Sequence, residues 1–344
     1  MTGDNVLIEY ITFRNFNFTA AGGAIRWNGN NGVLRNCNFN NNSASYAGAV
    51  HWGGSNGTII SSTFNGNTAS NAGSVYFAGS NGTIISSTFN GNTASNAGAG
   101  AVEWRGNYGT LIECYFINNV AKEIGGAVYW NAANGHLTGC TFTNNNAPRG
   151  GAVYWAGMKG SLTDSTFNNN NSTVSGAGVR WDGPNGTLSS CTFINNTAGS
   201  GGGVTWGGPN GTLTDSIFTN NAGNNNGGAI DWYGTNGILI SSTFINNTAN
   251  HGGAIHWNTA GKSINNCTFI NNKWFNSVSK SNGIYVANNY NLTIKGGKGI
   301  VDIVTQGPIS GISIVVLNNE TYYYPPNSNI NLTKKKKNMP YQNI

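Results

Sequence analysis

The sequence is poor in charge. Asp, Glu, Lys and Arg make up 8% of its 344 residues, against about 25% in a typical soluble domain. The net charge of +6 is not spread along the chain, because residues 1–272 hold nine basic and nine acidic residues. The excess lies beyond them and includes Lys334–Lys337, which we interpret as a solvated basic tail. This distribution excludes the basic face that binds nucleic acid.

Long apolar segments are also missing. No run approaches the roughly 20 apolar residues that cross a bilayer as a helix, so we predict no membrane span in this chain. The first residues, MTGDNVLIEY, lack the basic and apolar regions of a secretion signal. The segment LIEYITF (7–13) already matches the middle of a repeat without a preceding cap. We therefore expect a fragment whose signal and anchor are not present in this chain.

Motifs that carry chemistry are absent as well. The sequence has no CxxC pair, phosphate-binding loop, nucleophile elbow or calcium-binding GGxGxD repeat. We therefore predict no cofactor and no metal site. The five cysteines are an odd number for a disulfide framework. They all fall in one repeat position that serine fills in the other coils, so we predict packed free thiols.

Glycine and aromatic residues, by contrast, are abundant and regularly spaced. The chain has 51 Gly and ten Trp, and the aromatic residues recur at steps of 25 to 27 residues. One column of aromatic residues lies 12 residues before a second column of Phe in all ten repeats. The first column is Trp27, Trp52, Phe77, Trp104, Trp130, Trp155, Trp181, Trp206, Trp232 and Trp257. The second is Phe39, Phe64, Phe89, Phe116, Phe142, Phe167, Phe193, Phe218, Phe244 and Phe269.

Other positions keep their chemistry relative to these columns. Val or Ile stands two residues before each Trp-column residue, and Leu or Ile stands five before each Phe. The alternation predicts short strands whose Val/Ile, Trp, Leu/Ile, Cys/Ser and Phe residues point inward. An outward Trp column is the alternative, and its rings would form a platform for stacking sugars. Glycine before the Val/Ile and in the Asn-Gly turns predicts positive φ angles or close backbone approach.

An asparagine stands three residues after every Phe of the second column. We predict that these side chains form a hydrogen-bonded ladder along the axis and that they take the left-handed conformation between two strands. The ladder residues are Asn42, Asn67, Asn92, Asn119, Asn145, Asn170, Asn196, Asn221, Asn247 and Asn272.

Together these columns predict an all-β fold, a right-handed single-stranded parallel β-helix of about ten to eleven coils of 25–27 residues. A leucine-rich repeat has a compatible period, but the Trp half of each coil has strand and turn chemistry and not that of a helix. We predict that the β-helix covers residues 1–295 and begins mid-coil. Residues 296–344 would form a C-terminal β cap, or the start of a truncated second β domain with the basic tail.

Two recurring motifs resemble those of known surface proteins. GGAIRW (22–27), GGAVYW (125–130) and GGAIHW (252–257) share the pattern GGA[IV], and FINN (193–196) fits FxxN. These motifs resemble the repeat of the chlamydial polymorphic outer-membrane proteins, and the chain is similar to Asn/Thr-rich adhesin-like proteins of methanogenic archaea. The resemblance covers about residues 8–286. It implies a surface-exposed β-helix that adheres to cells or matrices, and it identifies no ligand.

Acidic residues offer two candidate catalytic arrangements. Asp164 and Asp215 share one column two coils apart, about 9.6 Å, which is near the upper end for an inverting glycosidase. Asp231 and His256 are neighbours in the column just before the Trp column. We interpret the first two as solvated turn residues and the second two as a surface ion pair.

The column just before the Trp column is variable, and we predict that it faces solvent as a flat ligand-binding strip. Its proposed binding residues are Tyr76, Glu103, Tyr129, Tyr154 and Arg180. We predict a non-enzymatic, extracellular adhesin-like protein that binds cell-surface glycans or proteins of other cells. A purely structural spacer is the first alternative, and a glycan-active lyase or hydrolase on a β-helix is the second.

Overall fold

A computed structural model describes residues 1–259, 262–275 and 283–286, together with strands in the segments 292–295, 298–299, 303–305, 313–317 and 320–324. The described chain is a right-handed parallel β-helix of about eleven turns, which confirms the predicted fold class. The described residues include no helix, so none of them belongs to a helix long and apolar enough to span a membrane.

Each coil adds one short strand to sheets that run along the axis. Sheet A carries the Leu/Ile column. Its strands are Leu7–Glu9, Val33–Arg35, Thr58–Ile60, Thr83–Ile85, Thr110–Ile112, His136–Thr138, Ser161–Thr163, Thr187–Ser189, Thr212–Thr214, Ile238–Ile240, Lys262–Asn265, Leu292–Lys295, Ser313–Leu317 and Glu320–Tyr324. Sheet B carries the Phe column. Its strands are Thr12–Arg14, Asn38–Asn40, Thr63–Asn65, Thr88–Asn90, Tyr115–Ile117, Thr141–Thr143, Thr166–Asn168, Thr192–Ile194, Ile217–Thr219, Thr243–Ile245, Thr268–Ile270 and Lys298–Gly299.

The remaining strands form two shorter C sheets and one D sheet. The C sheets separate where Pro148, which lacks a backbone N–H, interrupts the column. Their strands are Asn17–Ala21, Ser43–Tyr46, Thr68–Ala69, Thr93–Ala94 and Val120–Ala121, then Asn171–Ser175, Thr197–Ser200, Ala222–Asn226, Thr248–His251 and Lys273–Trp274. Sheet D carries the Trp column. Its strands are Ile25–Trp27, Val50–Trp52, Val75–Phe77, Val102–Trp104, Val128–Trp130, Val153–Trp155, Val179–Trp181, Val204–Trp206, Ile230–Trp232, Ile255–Trp257, Ile284–Val286 and Ile303–Thr305.

The core consists of the predicted inward columns, stacked coil on coil. Every Trp-column residue from Trp27 to Trp257 is fully buried, so the inward prediction is confirmed and the outward alternative is wrong. Neighbouring Trp-column rings stack at centroid distances of 4.5–5.4 Å. Neighbouring Phe rings from Phe39 to Phe269 stack at 4.7–5.1 Å. These spacings follow from the separation of hydrogen-bonded strands, which is about 4.8 Å.

The asparagine column forms a continuous hydrogen-bonded ladder inside the rod. Asn170 shows the pattern: its Nδ2 donates to Oδ1 of Asn196 and to the carbonyl of Phe142, each at 3.0 Å. Its Oδ1 accepts from the backbone N–H and from Nδ2 of Asn145. Because both ends of each amide are satisfied, these polar side chains can be buried without an unpaired group.

The left-handed conformation belongs to the residue before each ladder asparagine, and our assignment of it to the ladder itself is wrong. Asn169 has a φ of 54° and Gly91 has a φ of 63° at that position. A second left-handed residue, such as Asp164 with a φ of 52°, separates sheets A and B. These two corners turn the chain, which leaves the ladder side chains free to point into the core.

The Cys/Ser column is buried beside the Phe column. All five cysteines are free thiols, as predicted. Cys and Ser are interchangeable here because both donate to the carbonyl two residues earlier, as Cys140 does to Thr138 and Ser165 to Thr163.

Glycine in the Asn-Gly turns leaves room for the Trp column, since a Cβ on Gly186 would collide with the indole of Trp181.

The predicted domain boundary at residue 295 stays a prediction. Strands Lys298–Gly299 and Ile303–Thr305 extend sheets B and D, and Ser313–Leu317 pairs antiparallel with Glu320–Tyr324. Most of residues 296–344, including the predicted basic tail at Lys334–Lys337, lies outside the described residues.

Candidate ligand-binding strip

The central residues of the sheet D strands point away from the core and follow one another along the rod. We call this column the strip. In each strand the residues on either side of it are buried, which gives the alternation predicted from the sequence. The strip consists of Arg26, His51, Tyr76, Glu103, Tyr129, Tyr154, Arg180, Thr205, Asp231 and His256.

The strip is not the flat, solvated face that the sequence led us to expect. Glu103, Thr205, Asp231 and His256 are buried, whereas the three tyrosines and Arg180 are half-buried. The physical reason is that side chains on both flanks fold over the column. Arg105, for example, lies over the strip from one flank. From the other flank, the ring of Tyr46 meets that of Tyr76 edge-on at 6.0 Å, and Ser175 accepts a hydrogen bond from Arg180.

A first cluster lies around Glu103, between Tyr76 and Tyr129 in the sheet register. Arg105 donates from Nε to Oε1 of Glu103 at 2.7 Å, and its Nη2 lies 2.6 Å from the same oxygen. The Arg105 guanidinium also lies 5.1 Å from the centre of the Tyr129 ring. Burial raises the pKa of the Glu103 carboxyl despite the ion pair, and burial likewise raises the pKa of Tyr76 and Tyr129.

A second cluster is centred on Asp182, a residue that is not in the strip itself. Its carboxylate accepts from the Tyr154 hydroxyl at 2.7 Å, from Nε of Arg180 at 2.8 Å and from the Tyr233 hydroxyl at 3.3 Å. Arg180 lies 5.2 Å from the centre of the Tyr233 ring. Burial and the neighbouring carboxylate of Asp182 raise the pKa of Tyr233 to about 12, and the same two causes raise that of Tyr154. Both tyrosines therefore remain protonated hydrogen-bond donors near neutral pH.

The predicted surface ion pair of Asp231 and His256 is present but is not at the surface. Oδ1 of Asp231 lies 2.7 Å from Nδ1 of His256, and the two side chains keep only 11% and 7% of their exposure. The ring of Tyr285 stacks on the imidazole at a centroid distance of 5.3 Å. This covering ring explains why a pair that the sequence placed on an outward column is buried.

The two aspartates considered for catalysis lie on solvated corners of the rod. Asp164 and Asp215 are exposed and occupy left-handed turns between sheets A and B, with φ angles of 52° and 51°. Within the described part of the chain, no three His, Cys, Asp or Glu side chains are grouped so that they could hold a metal ion. The structure thus does not bring these aspartates together with the tyrosines and arginines of the strip.

Sequence reasoning missed Arg105, Asp182 and Tyr233, which complete the two clusters. The sequence does contain a pattern that predicts these partners. Glu103 and Arg105 stand on either side of the inward Trp104, at positions i and i+2. Arg180 and Asp182 stand in the same way on either side of Trp181. On a strand, such residues lie on the same face, so opposite charges at this spacing indicate an ion pair across one strand. The partner residues follow the Trp column, a position that other coils fill with Asn, Gly or Ala.

Comparisons with known proteins agree with this architecture. A family described as right-handed beta helix region matches residues 1–159 and 73–248. A second, described as the Chlamydia polymorphic membrane protein repeat, matches residues 241–256, which confirms the resemblance carried by the GGA[IV] and FxxN motifs. The likeness to archaeal surface proteins stays a prediction.

No curated protein matches the chain. Among solved structures, the chain is similar to PfbA, a surface adhesin of Streptococcus pneumoniae, at 9% identity and a TM-score of 0.31. The similarity covers 85% of this chain and 91% of that one. The family match spans well over half of the sequence and agrees with the observed coils, so the chain belongs to the right-handed β-helix region family.

Proposed function

We propose that this chain is a non-enzymatic, adhesin-like protein of the cell surface, and that its strip binds glycans or proteins of other cells. The observation that carries the proposal is the section of the strip from Tyr76 to Arg180, together with its flanking residues Arg105, Asp182 and Tyr233. There, three tyrosines and two arginines are joined by hydrogen bonds and ring contacts while remaining partly exposed, and Tyr76 lies beside Glu103 in the sheet register. Such a section is a candidate binding surface because Tyr and Arg contribute much of the energy at protein contact sites.

The scaffold favours binding because it orders these side chains in advance. Each strip residue lies between two buried neighbours in a strand of sheet D, and the Trp stack beneath it is continuous. Arg180 is further held by Asp182 and by Oγ of Ser175 at 2.9 Å. A ligand that meets side chains already in place avoids most of the entropic cost of ordering them.

The placement of the carboxylates supports binding over hydrolysis. Glycosidases need two carboxyl groups that face each other across the scissile bond. Asp164 and Asp215 lie on exposed corners, and the strip carboxylates of Glu103 and Asp231 are each paired with a basic side chain. Glu103 therefore acts in this proposal as a binding group and not as an acid catalyst.

The surface location rests on the family resemblance and on the shape of the fold. The chlamydial repeat that matches residues 241–256 belongs to a family named for membrane proteins. A rod of about eleven turns would present its lateral strip along about 50 Å. The same rod without a ligand would be a spacer, and retention on an immobilised ligand separates the two functions.

The proposal is tested by passing the purified chain over arrays of immobilised glycans and matrix proteins while assaying for released sugar. We expect saturable retention without release. Replacing Tyr76, Tyr129 and Tyr154 together with Ser should abolish retention. The matched control replaces the exposed tyrosines Tyr10, Tyr108 and Tyr115, which lie outside the strip, and should keep it.

Three results would overturn this assignment. Loss of retention in both triple variants would show that tyrosines outside the strip matter as much as those within it. Absence of retention for the unchanged chain on every array would leave the spacer function. Release of soluble sugar would show an enzyme. Circular dichroism and thermal unfolding of each variant would establish that the rod is still folded.

A further inference from the structure

The carboxylate of Glu103 is buried with only half of its hydrogen-bonding capacity used. Its side chain retains 3% of its exposure, and both contacts from Arg105 go to Oε1. No side chain or backbone N–H among the described residues donates a hydrogen bond to Oε2. Oε2 is not among the fully enclosed polar atoms that lack a partner, so it meets solvent and can accept a hydrogen bond from a ligand.

The carboxylate of Glu103 fits at this flank because residue 98 is a glycine. Gly98 lies on the flank of the strip with a φ of 124°, and a Cβ built on it would stand 2.7 Å from Oε2. This position, six residues before the Trp column, is glycine in this coil alone. The other coils carry Ala21, Tyr46, Asn71, Ile124, Arg149, Ser175, Ser200, Asn226 and His251 there.

Donor and acceptor groups lie side by side at the solvent edge of this cluster. Arg105 is 40% exposed and uses Nε and Nη2 on Glu103, so its Nη1 has no acceptor among the described residues. The rings of Tyr76 and Tyr129 border the site as neighbours of Glu103 in the sheet. The one negative and one positive charge cancel, so the site offers hydrogen bonds without a net charge.

In the cluster around Asp182, by contrast, both carboxylate oxygens accept hydrogen bonds from the protein. Its carboxylate already receives three donors, from Tyr154, Arg180 and Tyr233. The two clusters share an Arg–carboxylate pair and flanking tyrosines, but only Glu103 retains an oxygen without a protein donor. Elsewhere in the strip, the described hydrogen bond of Asp231 also uses only Oδ1, on His256. Between the two Arg–carboxylate clusters, the oxygen without a protein donor therefore distinguishes the Glu103 site.

We infer that Glu103, Arg105, Tyr76 and Tyr129 form a subsite for an uncharged sugar residue with two neighbouring hydroxyl groups. One hydroxyl donates to Oε2 of Glu103, and the next accepts from Nη1 of Arg105. An acidic sugar is disfavoured because its carboxylate or sulfate would approach a buried carboxylate. A cationic ligand is disfavoured because Arg105 already supplies the positive charge. This inference rests on the proposed binding function of the strip and names the class of ligand.

The test compares the unchanged chain with E103Q on two sets of immobilised probes. The neutral set holds oligosaccharides of mannose, galactose, glucose and N-acetylglucosamine, and the acidic set holds heparin and polygalacturonate. Glutamine keeps the shape and can still accept from Arg105, but it places an NH₂ group where Oε2 accepted a hydroxyl. We expect retention on a neutral probe, little change with salt, and an affinity for E103Q that is lower by about tenfold or more.

The matched control is E113Q, because Glu113 is an exposed glutamate on a turn outside the strip. It should bind as the unchanged chain does, and thermal unfolding of both variants should show folded rods. Equal affinity of E103Q and E113Q would overturn the subsite, as would retention confined to the acidic probes.

The subsite and the proposed function can fail separately. If only proteins are retained, and the strip triple variant loses them while E103Q does not, the adhesive function stands and the sugar subsite is wrong. If no probe is retained by the unchanged chain, both are wrong.

Discussion

The indole rings of Trp130 and Trp155 lie parallel at a centroid distance of 4.7 Å, with an interplanar angle of 0°. This is the pairing that a parallel register imposes, since Trp130 and Trp155 are directly matched residues of neighbouring strands. Each ring thus packs against the coils before and after it. The stability of the rod consequently depends on contacts between coils, as in other solenoids.

Truncating one of these rings should destabilise the rod strongly. We expect Trp155→Ala to lower the free energy of unfolding by about 3–5 kcal/mol, because it leaves a cavity between two stacked rings. Met158→Ala is the control, since Met158 is 48% exposed and its truncation should stay within about 0.5 kcal/mol. Urea unfolding followed by circular dichroism measures both.

The position of Phe77 indicates how far the Trp column tolerates change. Phe77 replaces tryptophan in one coil and stacks on Trp104 at 4.7 Å. The Nε1 of Trp155 has no acceptor in the described structure, so Trp155→Phe removes no hydrogen bond. If Trp155→Phe lowered the free energy of unfolding as much as Trp155→Ala does, ring stacking would not be the main contribution of this residue to stability.

Two adjacent asparagines should respond in opposite ways to substitution. Asn170→Ala removes a ladder amide and leaves the Phe142 carbonyl and Asn145 without their partners, so we expect a loss of at least about 2 kcal/mol. Asn169→Gly should be neutral or slightly stabilising because Asn169 has a φ of 54°. Thermal unfolding of the two variants checks this contrast, and similar losses for both would show that the ladder has no special weight.

The repeat made the fold predictable, because ten copies of each position show which residue types are kept together. The inward Trp, Phe and Leu/Ile columns and the free cysteines all follow from alternation and from spacing relative to the Phe column. The strip was harder to predict, since its residues vary and its burial depends on side chains that reach over from the flanks. A Glu103 that reads as a solvated strand residue is buried because Arg105 and Tyr76 surround it.

The left-handed corner shows a second limit of the sequence. Both residues of the pair Asn169–Asn170 are asparagine, and asparagine suits either a left-handed turn or a ladder. Coils with Gly66 or Gly91 at the first position distinguish the two roles, because glycine adopts positive φ without steric cost and has no side chain to form a ladder. A comparison between coils therefore identifies the left-handed position, whereas a single coil with two asparagines does not.

The cysteine thiols should be unreactive toward alkylating reagents in the folded rod. Burial raises the pKa of Cys191 and Cys267 to about 12, so the thiolate that reacts with electrophiles is nearly absent at pH 8. We expect no labelling by iodoacetamide of any of the five thiols in the native protein, and labelling of all five in denaturant. Mass spectrometry of digests reads out each site. Labelling of Cys191 in the native state would contradict its burial.

The buried carboxylate of Glu103 should give the rod an unusual dependence of stability on pH. Burial raises the pKa of Glu103 above its ordinary value of 4.5, so between the two values the native state holds more protons than the unfolded chain. The contribution of this group is therefore fully present below the unfolded pKa and is lost as the pH rises through the folded pKa. Over that interval, Glu103→Gln should show a smaller decline in stability with rising pH than the unchanged chain. Denaturant unfolding from pH 3 to pH 8 measures the two slopes, with Glu113→Gln as the control that keeps the decline. Parallel profiles for Glu103→Gln and the unchanged chain would mean that the carboxylate ionises in the folded rod as it does in the unfolded chain.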